Sequence, residues 1–406
     1  MNYSEALAWL FGTQRFGIKL GLDNIKRLLG ALDLPAKEQR IIHVAGTNGK
    51  GSVCAIIDAI ARAGRYRTGL FTSPHLVTFR ERIQVSGEMI SEAAAGDGLS
   101  MIREMVRDWD PHPTFFEIVT ALGLHHFRAQ QCELIILETG MGGRLDATNA
   151  ATPVVAVLTP IDYDHQKWLG HTLAEIAAEK AGIIKPHIPV VSAVQRGEAE
   201  AVVRARAAEC EAPLRIVTET HDGTPVALLG AHQKANAALA IAAFEAGGIA
   251  VDGAAVKQGL RNVTWPARFQ RWDERIVIDG AHNPAGARVA AETWRDVFGE
   301  EKAALVFGVL QDKDVAAVYR ELAGVTAEVV LPHFRGERVV APEKVAEIVA
   351  AVSPEMPCQM ADSCAEALRI AERSSHRVLV AGSLHLAGEV LAHLSGVPAT
   401  FEECAQ

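Results

Sequence analysis

The stretch Ile41-Ile42-His43-Val44-Ala45-Gly46-Thr47-Asn48-Gly49-Lys50-Gly51-Ser52 limits the possible folds more than any other part of the chain. An apolar, partly β-branched run passes into a glycine-rich turn, and Ser52-Val53-Cys54-Ala55-Ile56-Ile57 opens a helical pattern reaching about Ala63. Strand, loop and helix in that order point to an α/β sheet. Gly46, Gly49 and Gly51 let the backbone fold closely around an anion, with Thr47 and Asn48 between them. The helix start adds unpaired N–H groups, and Lys50 adds a compact positive charge. The segment is suited to holding phosphates, and Ser52 stands where a hydroxyl can reach a magnesium ion. It departs from the general phosphate-loop pattern in two places: Val44 replaces the first glycine, and Gly51 separates Lys50 from Ser52.

A chain of 406 residues exceeds one typical core and predicts two domains. The formal net charge of -9 argues against a general nucleic-acid or acidic-membrane surface, so a polyanionic ligand must be held by a local cluster. Cys54, Cys132, Cys210, Cys358, Cys364 and Cys404 form no Cys-x-x-Cys pair. This disfavours a zinc site or a disulfide framework and fits a reducing cytoplasm. The N-terminus lacks a basic region followed by a long apolar core, and no apolar run is long enough to span a bilayer, so neither export nor membrane insertion is expected.

In chain order, helices are expected over Tyr3–Phe11 and Leu22–Leu32, covering a sheet edge. A strand follows at Thr68–Phe71, and Thr72-Ser73-Pro74-His75-Leu76 then exposes polar groups at its C-terminal end. Arg80–Glu88 reads as a hairpin, Ser91–Asp108 and Thr114–Gln130 as helices, and Leu134–Leu137 and Val154–Leu158 as strands buried on both faces. The strand–helix rhythm restarts after Asn262-Val263-Thr264-Trp265-Pro266, giving a first domain over 1–264 and a smaller α/β domain over 265–406.

Several polar residues fall where these strands end. Glu138 directly follows one buried strand and Asp164-His165 trails another; with the hydroxyls of Ser52 and Ser73 they can make a magnesium site beside nucleotide phosphates. Lys180 shares a helix face with Leu173, Ile176 and Ala177 and therefore points inward. Such a lysine pairs with an acid, snorkels, or reacts as a free amine, for instance with carbon dioxide to give a carbamate. In the second unit, Arg268 and His282 can reach across a cleft, and Asn283-Pro284 is also a good helix start.

These blocks, together with Gly140–Asn149 and Gly308–Asp314, resemble the folylpolyglutamate synthase and dihydrofolate synthase family, relatives of the Mur ligases, over essentially the whole chain. The resemblance implies a central domain with a phosphate loop and a mainly parallel sheet, followed by a Rossmann-like C-terminal domain. It implies ATP and Mg²⁺ as cofactors, with Ser52, Ser73, Glu138 and His165 at the metals and a carbamylated Lys180 supporting a second one. Asn236, Arg268, Asp279 and His282 are implied at the nucleotide, Lys50, Lys180 and His282 in catalysis, and Asp146 and Ser383 on the substrate side. The implied substrates are ATP, L-glutamate and a folate or dihydropteroate, handled by a cytoplasmic monomer without nucleic-acid or membrane partners. The rival readings are a Mur-type cell-wall ligase, expected to carry a further N-terminal domain before the loop, and a nucleotide-binding module without catalysis.

Overall fold

The computed structural model describes residues 1–16, 21–36, 38–336, 338–397 and 402. Among them, two sheets form separate cores. The first contains β1 (Arg40–Ala45), β2 (Thr68–Phe71), β3 (Ile83–Val85), β4 (Glu88–Met89), β5 (Leu134–Glu138), β6 (Val155–Leu158), β7 (Val190–Ala193) and β8 (Leu214–Val217). Their order is β4-β3-β2-β5-β1-β6-β7-β8. All neighbours are parallel except β2–β3 and β3–β4, which form the antiparallel edge.

The two faces of this sheet follow from side-chain alternation. Ile41, Ile135 and Leu137 face a cluster with the helices Glu92–Val106 and Phe115–Ala129, whereas Ile42, Val44, Leu134 and Ile136 face the helices Lys50–Ala63, His232–Ala246 and Gly253–Asn262. Each such fully buried aliphatic side chain contributes about 1.5–3 kcal/mol by leaving water. The first two helices, Tyr3–Gly12 and Asp23–Ala31, pack on the helical layer of the first face. They do not cover a sheet edge as expected, because their apolar stripes find Phe115, Leu122 and Leu99 in that layer. Arg80–Arg82 of the expected hairpin is a 3-10 turn, and only β3 and β4 pair.

Register brings the ligand-bearing residues to one level. Val44 pairs with Glu138 and with Val157, and Phe71 pairs with Leu137, so the Gly46 turn, Ser73, Glu138 and Thr159 all emerge at the C-terminal rim. The strand order reverses direction around β1, which makes this rim the crevice where open α/β sheets bind ligands.

The second sheet holds β9 (Gln270–Arg271), β10 (Ile276–Ile278), β11 (Ala303–Phe307), β12 (Thr326–Pro332), β13 (Cys358–Ala361) and β14 (Arg377–Ala381), ordered β13-β12-β11-β14-β10-β9. Only β9 is antiparallel. β10 and β14 end side by side, placing Asp279–Asn283 and Gly382–Ser383 on the rim that faces the first domain. No helix among the described residues is long and apolar enough to cross a membrane.

Candidate active site

The phosphate loop is held by the segment after β6. Pro160 O accepts from Thr47 N at 2.9 Å and Asn48 N at 3.2 Å, and Thr47 Oγ1 donates to Asp162 O at 2.9 Å. Gly46 has φ +146°, and a Cβ there would lie 1.9 Å from Thr159 Oγ1, so only glycine fits. Gly49 is the left-handed N-cap of the helix Lys50–Ala63, and Gly51 lies against Trp265. Lys50 Nζ donates to Thr47 O at 3.3 Å, which curls the ammonium back over the loop. Ser52 Oγ accepts from Gln233 Nε2 at 3.4 Å, and Gln233 Oε1 accepts from Asn236 Nδ2 at 2.9 Å. Asn236 is thereby fixed beside Gly49.

Beside the loop, Glu138 is buried and accepts from Ser73 N at 3.0 Å. Burial pushes its carboxyl above the ordinary range against the opposing charge of Lys50 and the Ser73 N–H. Ser73 Oγ is buried without a hydrogen-bond partner. A desolvated carboxylate next to an unsatisfied hydroxyl and a phosphate loop fits Mg²⁺, which takes one or two carboxylates and completes its shell with water and substrate phosphates. No group of three His, Cys, Asp or Glu side chains suited to a metal occurs among the described residues, so the protein supplies only part of such a shell. His165 sits at the N-cap of a short helix in left-handed conformation. Its pKa falls to about 4, chiefly through burial and against the nearby Asp164 charge, so the ring is neutral near pH 7.

Lys180 is buried, and its Nζ donates to Gly46 O at 2.9 Å. Burial first, then the Lys50 charge, lowers its pKa from 10.5 to about 7; Asp164 and Asp146 oppose that fall. The inward reading of the helix face holds, and snorkelling does not occur. A half-neutral amine touching the phosphate loop combines nucleophilic capacity with proximity to Lys50 and Asp164.

The second domain meets this rim through Asp164. Lys313 Nζ lies 2.7 Å from Asp164 Oδ1, with the two side chains only 10% and 8% exposed. Asn283 Nδ2 donates to Asn48 Oδ1 at 3.1 Å and to Asp164 Oδ2 at 3.4 Å. His282 Nδ1 is within 2.8 Å of Gly280 O; since a carbonyl only accepts, Nδ1 carries the proton. His282 Nε2 then faces Asp164 Oδ2 at 3.7 Å. Burial alone would raise the Asp164 carboxyl, but His282, His165 and Lys313 together hold it well below the usual range. Arg268 lies between the left-handed residues Ala267 and Phe269, and its charge reaches Asp279 in its own domain and Glu138 across the cleft.

Comparison with known proteins agrees with this architecture. Residues 44–222 match the Mur ligase middle domain and residues 267–384 the Mur ligase, glutamate ligase domain. The chain is 33% identical to the dihydrofolate synthase/folylpolyglutamate synthase of Bacillus subtilis, over 97% of this chain and 99% of that protein. It belongs to the folylpolyglutamate synthase/dihydrofolate synthase family. The folylpolyglutamate synthase of Mycobacterium tuberculosis complexed with ADP superposes with a TM-score of 0.89 and 31% identity, covering 97% of this chain and 99% of that one. The bifunctional enzyme of Yersinia pestis complexed with AMPPNP and Mn ion gives a TM-score of 0.88 and 31% identity, covering 97% and 98%. The chain is an ATP-dependent ligase with a Mur-ligase-like α/β fold.

Three residues expected at ligands have structural work in this family member. Asp146 Oδ2 accepts from Gly140 N and Met141 N at 2.9 and 3.0 Å, and Oδ1 accepts from Thr148 N and Thr148 Oγ1. Thr148 Oγ1 accepts in turn from His43 Nε2 at 2.8 Å, tying the glycine-rich loop to β1. Asp279 accepts from Phe269 N at 2.7 Å and Ala281 N at 2.8 Å, so its carboxylate braces the left-handed turn around Arg268. Ser383 is the N-cap of the helix Leu384–Leu394, its Oγ accepting from His385 N at 3.0 Å. Sequence reasoning missed the cross-domain roles of Lys313 and Asn283. Their signal lay in the Gln311-Asp312-Lys313-Asp314 and Asn283-Pro284 turns, each placed between a strand and a helix.

Proposed function

We propose that this chain joins L-glutamate to the carboxylates of both dihydropteroate and reduced folates, coupling each amide bond to cleavage of ATP to ADP and phosphate. The observation that carries the reading is the convergence of Lys50, Lys180, Ser73, Glu138 and the Asp164–Lys313 pair on one rim, where a phosphate loop meets the second domain. A carboxylate is a poor electrophile. Transfer of the γ-phosphoryl group onto one of its oxygens gives an acyl phosphate. The glutamate amine then attacks the carbonyl carbon, the C–O bond to phosphate breaks, and the amine loses a proton as the amide forms.

The chain's own groups serve these steps by position. Lys50 offsets charge on the transferring phosphoryl group, and Ser73, Glu138 and neutral His165 are the side chains that hold the metal, with Ser52 beside the phosphates. Bound Mg²⁺ supplies further neutralisation of phosphate charge. The Lys180 amine adds to carbon dioxide, forming a C–N bond and releasing a proton, and the resulting anion supports a second cation. Asn236, Arg268 and His282 contact the nucleotide, with the Asp279-braced turn aiming Arg268. Asp146 and Ser383 border the substrates through the elements they organise. The domain boundary falls at residues 264 and 265, with Val263–Pro266 as the hinge. The enzyme acts as a cytoplasmic monomer without nucleic-acid or membrane partners, a reading consistent with its acidic charge.

The test is an ADP-release assay with ATP, Mg²⁺ and glutamate, run separately with dihydropteroate and tetrahydrofolate. ADP release with both is expected. Release with tetrahydrofolate alone would refute the dihydrofolate synthase half, and release with neither would refute the substrate class.

A further inference from the structure

The loop that carries Ser73 is stiff. Glu81 accepts from the backbone N–H groups of Leu76, Val77 and Thr78 at 2.7, 2.9 and 2.9 Å, and Thr72 N donates to Arg82 O at 3.1 Å. Arg82 is fully buried and donates from Nε to His75 Nδ1 at 2.9 Å. At one end of this loop Ser73 N is bonded to Glu138. At its tip, Leu76 and Val77 leave the first domain's core and pack against the second domain's cluster of Leu386, Ala387, Val390 and Leu391. The helix Leu384–Leu394 comes so close there that a Cβ on Gly388 would lie 2.0 Å from Leu76 O and 2.8 Å from Leu76 C. Gly388 has helical neighbours on both sides and gains nothing from a glycine in its own helix, where alanine is the better former. Its lack of a side chain answers to the contact with Leu76.

We infer that Gly388 and Leu76 are positioning residues through which docking of the second domain sets the place of Ser73 at the cation site. Because the Glu81 and Arg82 bonds make residues 72–82 one rigid piece, a shift imposed at Leu76 is carried three residues back to Ser73. The inference rests on the assignment of Ser73 as a metal ligand. It predicts that the intact, closed enzyme holds its cation more tightly than one whose domains are wedged apart.

The experiment compares wild type with Gly388→Ala, Gly388→Val and Leu76→Ala. It measures Mn²⁺ affinity in the presence of ADP by electron paramagnetic resonance, domain separation by small-angle X-ray scattering, and kcat and KM for ATP. Gly388→Ala is expected to increase the radius of gyration, weaken Mn²⁺ about tenfold and lower kcat by at least that factor, with Gly388→Val worse. ADP affinity without metal should stay within about twofold. Leu76→Ala, which leaves the backbone contact, should give a smaller effect of the same kind and keeps the test open if the glycine variants do not fold. Separated domains with unchanged Mn²⁺ affinity would overturn the coupling, as would unchanged scattering and kcat in Gly388→Ala. Ser73→Ala separates the two readings: unchanged Mn²⁺ affinity in that variant refutes the ligand assignment and not the docking contact.

Discussion

Replacing Lys180 by methionine should make the protein more stable while abolishing ligase activity. A lysine pKa lowered from 10.5 to about 7 means the folded state disfavours the ammonium by about 5 kcal/mol, at about 1.4 kcal/mol per pH unit. The sign is fixed by the direction of the shift. Below pH 7 both states are protonated and the fold bears the whole cost; the cost shrinks as pH rises from about 7 toward 10.5 and is gone above that. At pH 7.5 the remaining cost is about 4 kcal/mol, and at pH 9.5 about 1–2 kcal/mol. Methionine has a similar length and carries no charge, but it leaves Gly46 O without the 2.9 Å bond it now accepts, a loss of about 1–3 kcal/mol.

The variant should therefore gain about 1–3 kcal/mol at pH 7.5, moving the first domain's thermal transition up by roughly 2–8 °C. At pH 9.5 the advantage should vanish or reverse. Calorimetry at both pH values in buffer free of carbon dioxide measures this, and the ADP-release assay measures the lost activity. A variant less stable than wild type at both pH values, or a gain that does not shrink with pH, would falsify the view that Lys180 is held at an electrostatic cost. Retained ligase activity would remove Lys180 from the chemistry altogether.

Gly46→Ala should cost about 3 kcal/mol or more and lose nucleotide affinity, because it combines overpacking with a forbidden backbone angle; Gly46→Ala with Thr159→Ala removes the 1.9 Å clash but keeps φ +146°, so only partial recovery is expected in urea melts. Asp146→Asn turns one acceptor into a donor opposite N–H groups and should destabilise by about 2–4 kcal/mol, with a larger loss of activity on dihydropteroate than of ADP binding, measured by calorimetric titration.

Much of this site was legible in the chain because the relevant physics is local. The run Ile41–Ala45 had to be a buried strand, and Lys180 shares a face with Ile176 and Ala177, so its inward direction followed from helical geometry alone. β13 was not legible: three of its four residues are exposed, so no apolar pattern marks an edge strand. The short β9 gives even less signal. Acids were legible as present, not as to what they face. Asp279 directly follows β10, and Asp146 lies in the loop after the strand that Glu138 ends, yet each is occupied by backbone N–H groups of its own turn while Glu138 takes the N–H of Ser73 from a neighbouring loop and faces the charge of Lys50. The pairing of Asp164 with Lys313 spans 149 positions, and no periodicity within either segment can specify the other.

That division between local and distant information matches the division of labour in the enzyme. The first domain alone contains the phosphate loop, Glu138 and Ser73, set by strand register within one sheet, and His165 and Lys180, carried on the helices that follow β6. What the second domain adds is a buried ammonium for Asp164, an amide for Asn48 and an apolar seat for Leu76. Removing Lys313 from a pair this enclosed leaves an uncompensated charge at a cost of about 3–5 kcal/mol. The contacts between the domains therefore fall within the phosphate loop at Asn48 and next to the proposed metal ligands at Asp164 and Leu76. Closure excludes water from an acyl phosphate that water would hydrolyse, and it does so at the positions where a displaced domain would also disturb the groups that form that intermediate.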